Sequence, residues 1–373
     1  MERKVNFIFI IVFVLFLTFM GASYFFLEDQ TFSVNENRVL QTLPDFSFEH
    51  LLDGSYISDI ESYINDQGLF RDQFMELKTS FLLLLGNKDI NQVYIGKDGY
   101  LLQTVLSSDF HYEQFYKNIE SIHSFASNSQ IPVSLMLVPS SYSILNDKLP
   151  EYASPINEVD LILEMKEKYQ DLSFIDVSSH LEEHQDETIY YKTDHHWTTL
   201  GAYYAYQAWQ EEKGIEVLMD SYQIKEVSSD FKGSLYSKVL NPNSAVDQIQ
   251  LFYPKEEIPY TVMYNFNQRE STSVYDYDKL DVKDQYQVFL GGNYPEITIH
   301  TNSDNDRSIL LFKDSFANSF LPFLIHDYEN IYVVDLRYFN QDVSSYIEER
   351  EIDEILFLYN VTNLADDTSL KKL

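Results

Sequence analysis

Residues Phe7 to Phe26 (FIFIIVFVLFLTFMGASYFF) are apolar apart from Thr18 and Ser23. About 20 such residues in a helix match the hydrocarbon core of a bilayer. Arg3 and Lys4 precede the run, and Glu28 and Asp29 follow it. The preference of Lys and Arg for the cytoplasmic side orients the chain. Residues 1–6 are then a cytoplasmic stub, 7–27 a transmembrane signal anchor, and everything beyond is extracytoplasmic: a single-pass cell-membrane protein with its N-terminus inside. A cleaved signal peptide is the rival reading, because Gly21-Ala22-Ser23 offers small residues to a peptidase. The apolar run continues through Tyr24-Phe25-Phe26-Leu27, which favours an uncleaved anchor.

Composition narrows what the outer part does. The chain has no cysteine, which excludes disulfides, thiolate zinc sites and thiol catalysis. Such an exported chain fits a Gram-positive surface at least as well as a periplasm. Asp and Glu number 59 against 26 Lys and Arg, a net charge of −33. Nucleic acid is therefore excluded as a partner, since its phosphates require a basic footprint. Hydrophobic residues make up 45%, enough for a sizeable core. With 29 Tyr and 27 Phe, the aromatics build that core or present faces that stack on sugars.

Residues 28–56 are polar with scattered anchors (Leu40, Leu43, Phe46, Phe48) and read as a stalk. Residues 57–373 read as one α/β domain. Ile57, Ile60, Ile64, Leu69, Phe70, Phe74 and Leu77 recur at roughly helical spacing. A hairpin is expected at 93–102, with Asp98-Gly99 in the turn. Helical patterns at 109–127, 159–169, 198–213 and about 316–325 then alternate with apolar strands at 133–138, 174–177, 308–312, 331–334 and 355–359. Such βα units imply a parallel sheet flanked by helices. Residues 215–300 are polar and Tyr-rich and read as an irregular or β-like insertion.

Two segments concentrate chemistry. Tyr190-Tyr191-Lys192-Thr193-Asp194-His195-His196-Trp197-Thr198 lies before a helix that Thr198 can cap. In Lys313-Asp314-Ser315-Phe316 a serine follows a buried strand and opens a helix, where an α/β sheet exposes a nucleophile. A serine needs a base, histidine supplies one near neutral pH, and a carboxylate orients it. Asp194 and His196 are two apart and lean to one side; His195 points away. The bland alternative makes Asp194 and Ser315 helix caps and leaves the histidines in solvent. Either segment alone fits it better; two together at strand ends of one sheet do not.

These blocks resemble the signatures of the DHHW proteins, relatives of the alginate O-acetylation proteins in the SGNH hydrolase superfamily. Glu36-Asn37-Arg38, Asp66 to Asp72, Tyr94 to Leu101, Val138-Pro139-Ser140, Gly291-Gly292-Asn293 and Val334 to Tyr338 extend the likeness along the outer chain. The resemblance implies an SGNH-like fold and a catalytic set Asp194, His196 and Ser315, with the Asp-x-His pair ahead of the serine. The superfamily's Gly-Asp-Ser is Lys-Asp-Ser here, so Lys313 has no assigned role beyond the turn. Gly292 and Asn293 match the oxyanion Gly and Asn by composition, and equally a plain Gly-Gly-Asn turn.

The implied function is O-acetylation of an exported polysaccharide through an acyl-enzyme. A membrane-bound O-acyltransferase would supply acetyl groups, since acetyl-coenzyme A is not expected outside. The same residues would also serve a polysaccharide acetyl esterase, and a non-catalytic assembly protein is a third reading. Trp197, Tyr190, Tyr191, Arg337 and Tyr338 are the candidate sugar-binding residues; Trp197 reads equally as a core anchor. No cofactor or metal is expected. His180-Leu181-Glu182-Glu183-His184 satisfies an inverted zinc-protease pattern, but Leu181 is its only apolar residue and the segment reads as a short solvated helix. Asn360-Val361-Thr362 is a lone glycosylation sequon of little meaning in a bacterium.

Overall fold

A computed structural model describes residues 2–303 and 305–373. It forms two compact units, one holding the chain up to Asn87 with Ser237–Asn243, the other Lys88–Tyr236 with Ser244–Leu373.

In the first unit, helix α1 (Glu2–Phe26) is the one helix among the described residues long and apolar enough to cross a membrane. Helices α2 (Ser55–Asp66) and α3 (Arg71–Leu84) follow. The expected stalk is folded into this unit rather than extended. Phe32–Ser33 pairs with Arg38–Val39, Leu40 is buried, and Arg38 forms an ion pair with the buried Asp66. The Arg38 hydrogen bond outweighs burial and holds the Asp66 carboxyl below its usual range. Residues 57–87 likewise group with this unit, so the α/β unit begins at Lys88 rather than at 57.

The second unit is built on an eight-stranded sheet. Its strands are β1 (Val133–Val138), β2 (Ser173–Phe174), β3 (Tyr260–Tyr264), β4 (Arg269–Ser271), β5 (Glu296–Thr301), β6 (Ser308–Lys313), β7 (Asn330–Val334) and β8 (Glu354–Asn360). Their order is β4-β3-β5-β7-β6-β8-β1-β2. The run from β7 to β2 is parallel. Its central strands read as unbroken apolar stretches because helices cover both faces; every residue of β6 is buried.

The β-like segment expected at 215–300 has two parts. Strands β3, β4 and β5 fall in or beside it and continue the same sheet, antiparallel, beyond β7. Another part of it forms a separate ribbon, Tyr222–Phe231 with Asp247–Pro254. Helices α4 (Tyr112–Asn128) and α5 (Thr199–Glu212) contribute buried aromatic and aliphatic faces to the core. Ser315, Ser140 and Asp335 follow the carboxyl ends of parallel strands and Asn360 closes another, which is where open α/β sheets place ligands.

Candidate active site

Strand β6 delivers Ser315. Asp314 fixes the turn: its Oδ1 accepts the Phe316 N–H at 2.9 Å, and its Oδ2 accepts the Asn360 N–H and the Asn363 amide, each at 2.8 Å. Burial pushes the Asp314 carboxyl up, and these donors partly counter it. With Asp314 so held, the Ser315 hydroxyl is the group presented at the strand end.

The second segment is positioned from a distance in sequence. Asp247, on the ribbon, accepts the N–H groups of Lys192 and Thr193, both at 2.8 Å, and the Thr193 hydroxyl at 2.5 Å. The Thr193 carbonyl accepts the N–H groups of Leu235 and Tyr236. Asp194 then faces inward. Its Oδ2 accepts the Ser234 N–H at 2.7 Å, and its Oδ1 lies 2.6 Å from His196 Nδ1. The other ring nitrogen, His196 Nε2, is 2.8 Å from Ser315 Oγ. With Nδ1–H donating to the carboxylate, Nε2 is left to accept the serine proton.

The imidazole is clamped on its faces. Tyr286 stacks on it with centroids 3.8 Å apart and planes 7° from parallel, and its hydroxyl donates to the Ser315 carbonyl at 3.1 Å. His195 covers the ring from another direction at 3.8 Å, held by a 2.7 Å contact between its Nδ1 and Ser234 Oγ. Glycine is required at 233, because a Cβ there would run into the Asp194 carboxylate. Burial alone would raise the Asp194 pKa. The adjacent His195 and His196 and the hydrogen bonds reverse that, and the carboxyl sits well below its ordinary range. It therefore stays ionised at neutral pH and can accept the Nδ1–H hydrogen bond that orients the imidazole.

Beside this line lies a buried ammonium. Lys313 is fully buried and donates to Asn293 Oδ1 at 3.0 Å and Asn318 Oδ1 at 2.6 Å. Asn293 is thus brought to the segment carrying Ser315, with its oxygen occupied. Gly292 has φ +121°, a left-handed conformation that glycine adopts freely.

A DHHW protein family model matches residues 116–334. The chain belongs to the DHHW family. Its fold is similar to that of a DHHW family protein from Eubacterium siraeum, at 25% identity and TM-score 0.66, covering 76% of this chain and 96% of that one. It is also similar to Bacillus cereus PatB1, at 24% identity and TM-score 0.61, covering 72% and 96%. A PatB1 structure with a sulfonyl adduct matches at 22% identity and TM-score 0.60, covering 73% and 97%. The PatB1 likenesses show a shared fold. No curated protein sequence matches the chain.

In this DHHW chain the aromatic residues around the motif are structural. Trp197 is buried, and its Nε1 donates to the Phe316 carbonyl at 2.9 Å and to Ser319 Oγ at 3.0 Å. It ties the two loops together and offers no face to a sugar. Tyr190 and Tyr191 are buried as well; Tyr190 donates to the Pro139 carbonyl at 2.6 Å, and Tyr191 packs edge-on to Phe231 and Tyr286. These three are withdrawn as acceptor-binding residues, because a stacking platform must be open. Arg337 is engaged by Asp335 through bonds of 2.8 and 2.6 Å. Tyr338 is half exposed.

The histidines of the zinc-like pattern do not converge. His180 contacts Glu211 at 3.0 Å, whereas His184 contacts Glu187 at 2.8 Å and stacks on Tyr204. Asp194, His195 and His196 lie close enough to share a metal ion, but both His196 nitrogens already face Asp194 and Ser315. Tyr286, Gly233, Ser234 and Asp247 are the residues that sequence reasoning missed. Each lies in the region read as an insertion and reaches the motif across 38 or more positions of chain, so no local spacing announced them.

Proposed function

We propose that this chain is an extracytoplasmic O-acetyltransferase acting on an exported or cell-wall polysaccharide. Ser315 is the nucleophile, His196 the base and Asp194 its orienting carboxylate. The observation that carries the reading is the continuous hydrogen-bonded line from Asp194 through His196 to Ser315 Oγ, with links of 2.6 and 2.8 Å.

Ser315 Oγ attacks the carbonyl carbon of an acetyl ester while His196 Nε2 takes its proton. That proton passes to the departing donor alcohol, leaving acetyl-Ser315. A sugar hydroxyl then gives its proton to His196 and attacks the acyl carbon, and His196 returns the proton to Ser315. Asn293, aligned by Lys313, and the Ser315 N–H are the candidate donors to the oxyanion. Every proton is carried by His196, so the cycle calls for no cofactor. Helix α1 anchors the enzyme with its N-terminus inside. A membrane-bound O-acyltransferase supplies the acetyl group, and the resemblance to the alginate O-acetylation proteins supplies the acceptor class.

A sulfonyl fluoride, matching the adduct carried by one of the similar structures, is the direct probe. Mass spectrometry should find the sulfonyl group on the Ser315 peptide, no adduct in Ser315→Ala, and slow labelling in His196→Ala. Labelling unchanged in Ser315→Ala removes the nucleophile. With p-nitrophenyl acetate as donor, an accepted oligosaccharide should become O-acetylated and speed release of acetate from Ser315. Release to water alone, across a panel of envelope oligosaccharides, makes the enzyme an esterase.

A further inference from the structure

The first unit carries apolar surface that its own folding leaves uncovered. Helix α3 has two opposed faces. Met75, Thr79, Leu82 and Leu83 turn toward the unit, where Thr79 is buried and its hydroxyl donates to the Val239 carbonyl at 2.6 Å. On the opposite side Phe74, Leu77, Phe81 and Leu84 follow one another at spacings of three and four, and all are exposed. Residues so spaced line a single stripe. Phe70 and Leu85 extend it at either end, and Ile57 and Ile64 on α2 are exposed too. A soluble surface rarely leaves such a stripe open unless something apolar covers it.

The position of these helices says what covers it. The corner between α2 and α3 is clamped to the end of α1. Tyr24, in the last turn of α1, donates to the Ile64 carbonyl at 2.8 Å. Gln67 and the Gln30 backbone exchange two bonds of 2.9 Å, and Tyr63 donates to Asp29 at 3.2 Å. The start of α3 is therefore tied to the level at which the apolar run of α1 ends. If α1 spans the bilayer, as the proposed function has it, that level is the membrane surface.

We infer that α3 lies in the lipid interface, with the Phe74–Leu77–Phe81–Leu84 stripe turned into the boundary between headgroups and acyl chains. The occupant is the lipid itself, continuous with the lipid around α1. Interfacial helices bury their apolar face about 5–10 Å into that boundary. This helix bears Asp72 and Glu76 as well as Arg71 and Lys78, so apolar area rather than attraction to anionic lipid holds it.

The absence of native cysteine makes the test clean. Single variants Phe74→Cys, Phe81→Cys and Leu15→Cys of the full chain, each labelled with an environment-sensitive fluorophore, are reconstituted in phosphatidylcholine–phosphatidylglycerol vesicles. Labels at 74 and 81 should be quenched most by shallow doxyl lipids and shielded from iodide, with little change on adding salt. The label at 15 should be quenched most by deep doxyl lipids. Stripe labels open to iodide and untouched by doxyl lipids refute the inference. Labels shielded from both quenchers mean that protein covers the stripe, which also refutes it. A label at 15 outside lipid overturns the anchor reading separately; the stripe is then judged on its own quenching.

Discussion

At the scale of single residues, Lys313 is the least expected part of the site. An ammonium with no solvent exposure, two positions before the proposed nucleophile, is costly to keep. Burial lowers its pKa to about 8, with Asp335 pulling the other way. A depressed lysine pKa means that the folded state resists protonation: the cost is fully present below about pH 8 and relieved as pH rises toward the ordinary lysine value. Lys313→Met should therefore leave stability near pH 7 unchanged or raised, as read by thermal melting. The same change removes one of two donors to Asn293 Oδ1, the Asn318 amide being the other; if Asn293 holds the oxyanion as proposed, its displacement should lower kcat by about 10- to 100-fold. If the charge helps hold the oxyanion, wild-type kcat falls as pH rises through about 8, and Lys313→Met lacks that limb. A variant with normal kcat and an unchanged profile would make Lys313 a packing residue only.

The two adjacent histidines separate just as sharply. His196→Ala should cost about as much as Ser315→Ala, and the double variant should be little worse than either, because members of one catalytic unit are not additive. His195 touches Ser234, Asp194 and the His196 ring, whereas it is His196 Nε2 that lies 2.8 Å from Ser315 Oγ, so His195→Ala should be much milder. An inactive His195→Ala with an active His196→Ala would reverse the assignment.

At the scale of elements, the site is a short loop gripped by a ribbon. Gly233→Ala drives a methyl group into the Asp194 carboxylate, and a displaced orienting group should cost on the order of 100-fold in kcat with KM little changed. Equal loss in both parameters would mean wider misfolding, and circular dichroism would separate that case. Tyr286→Phe keeps the stack on His196 and loses one hydroxyl; it should be milder than Tyr286→Leu, which loses both.

This division also explains what was readable in advance. The strands expected at 133–138, 308–312, 331–334 and 355–359 were legible because strands buried on both faces are unbroken apolar runs. The Asp194–His196 loop and the Ser315 turn were legible because their spacing is local. The sequence YTVMY at 260–264 was not, since its alternating Tyr and Thr look like any polar, Tyr-rich stretch although the strand pairs on both sides. Tyr286 and Gly233 act only through long-range contact, and a lone Tyr or Gly carries no trace of it. Trp197 had two readings, and burial decides for the core.

At the scale of the whole molecule, charge bears on which polymer the enzyme meets. A net charge of −33 surrounds the chain with a negative potential that disfavours approach of another polyanion. The local exception is small. Lys232 and Lys283 both lie against the Tyr236 ring, at 4.5 and 4.7 Å, and burial followed by the charge of Lys232 lowers the Lys283 pKa to about 8. Lys283 is near enough to Asp194 to feel its charge, but two lysines do not outweigh the surrounding carboxylates. We therefore expect a neutral or amino-bearing glycan to be the better acceptor at low salt, and a polyuronate of equal length to show a higher KM. Screening operates over about 10 Å at 0.1 M salt, so raising ionic strength should lower the polyuronate KM and leave that of the neutral glycan nearly unchanged. Measured acetyl transfer to matched oligosaccharides across a salt series decides the matter. A polyuronate that binds best in low salt and weakens as salt is added would mean that Lys232 and Lys283 form a true anionic-sugar site, and would reverse the acceptor assignment.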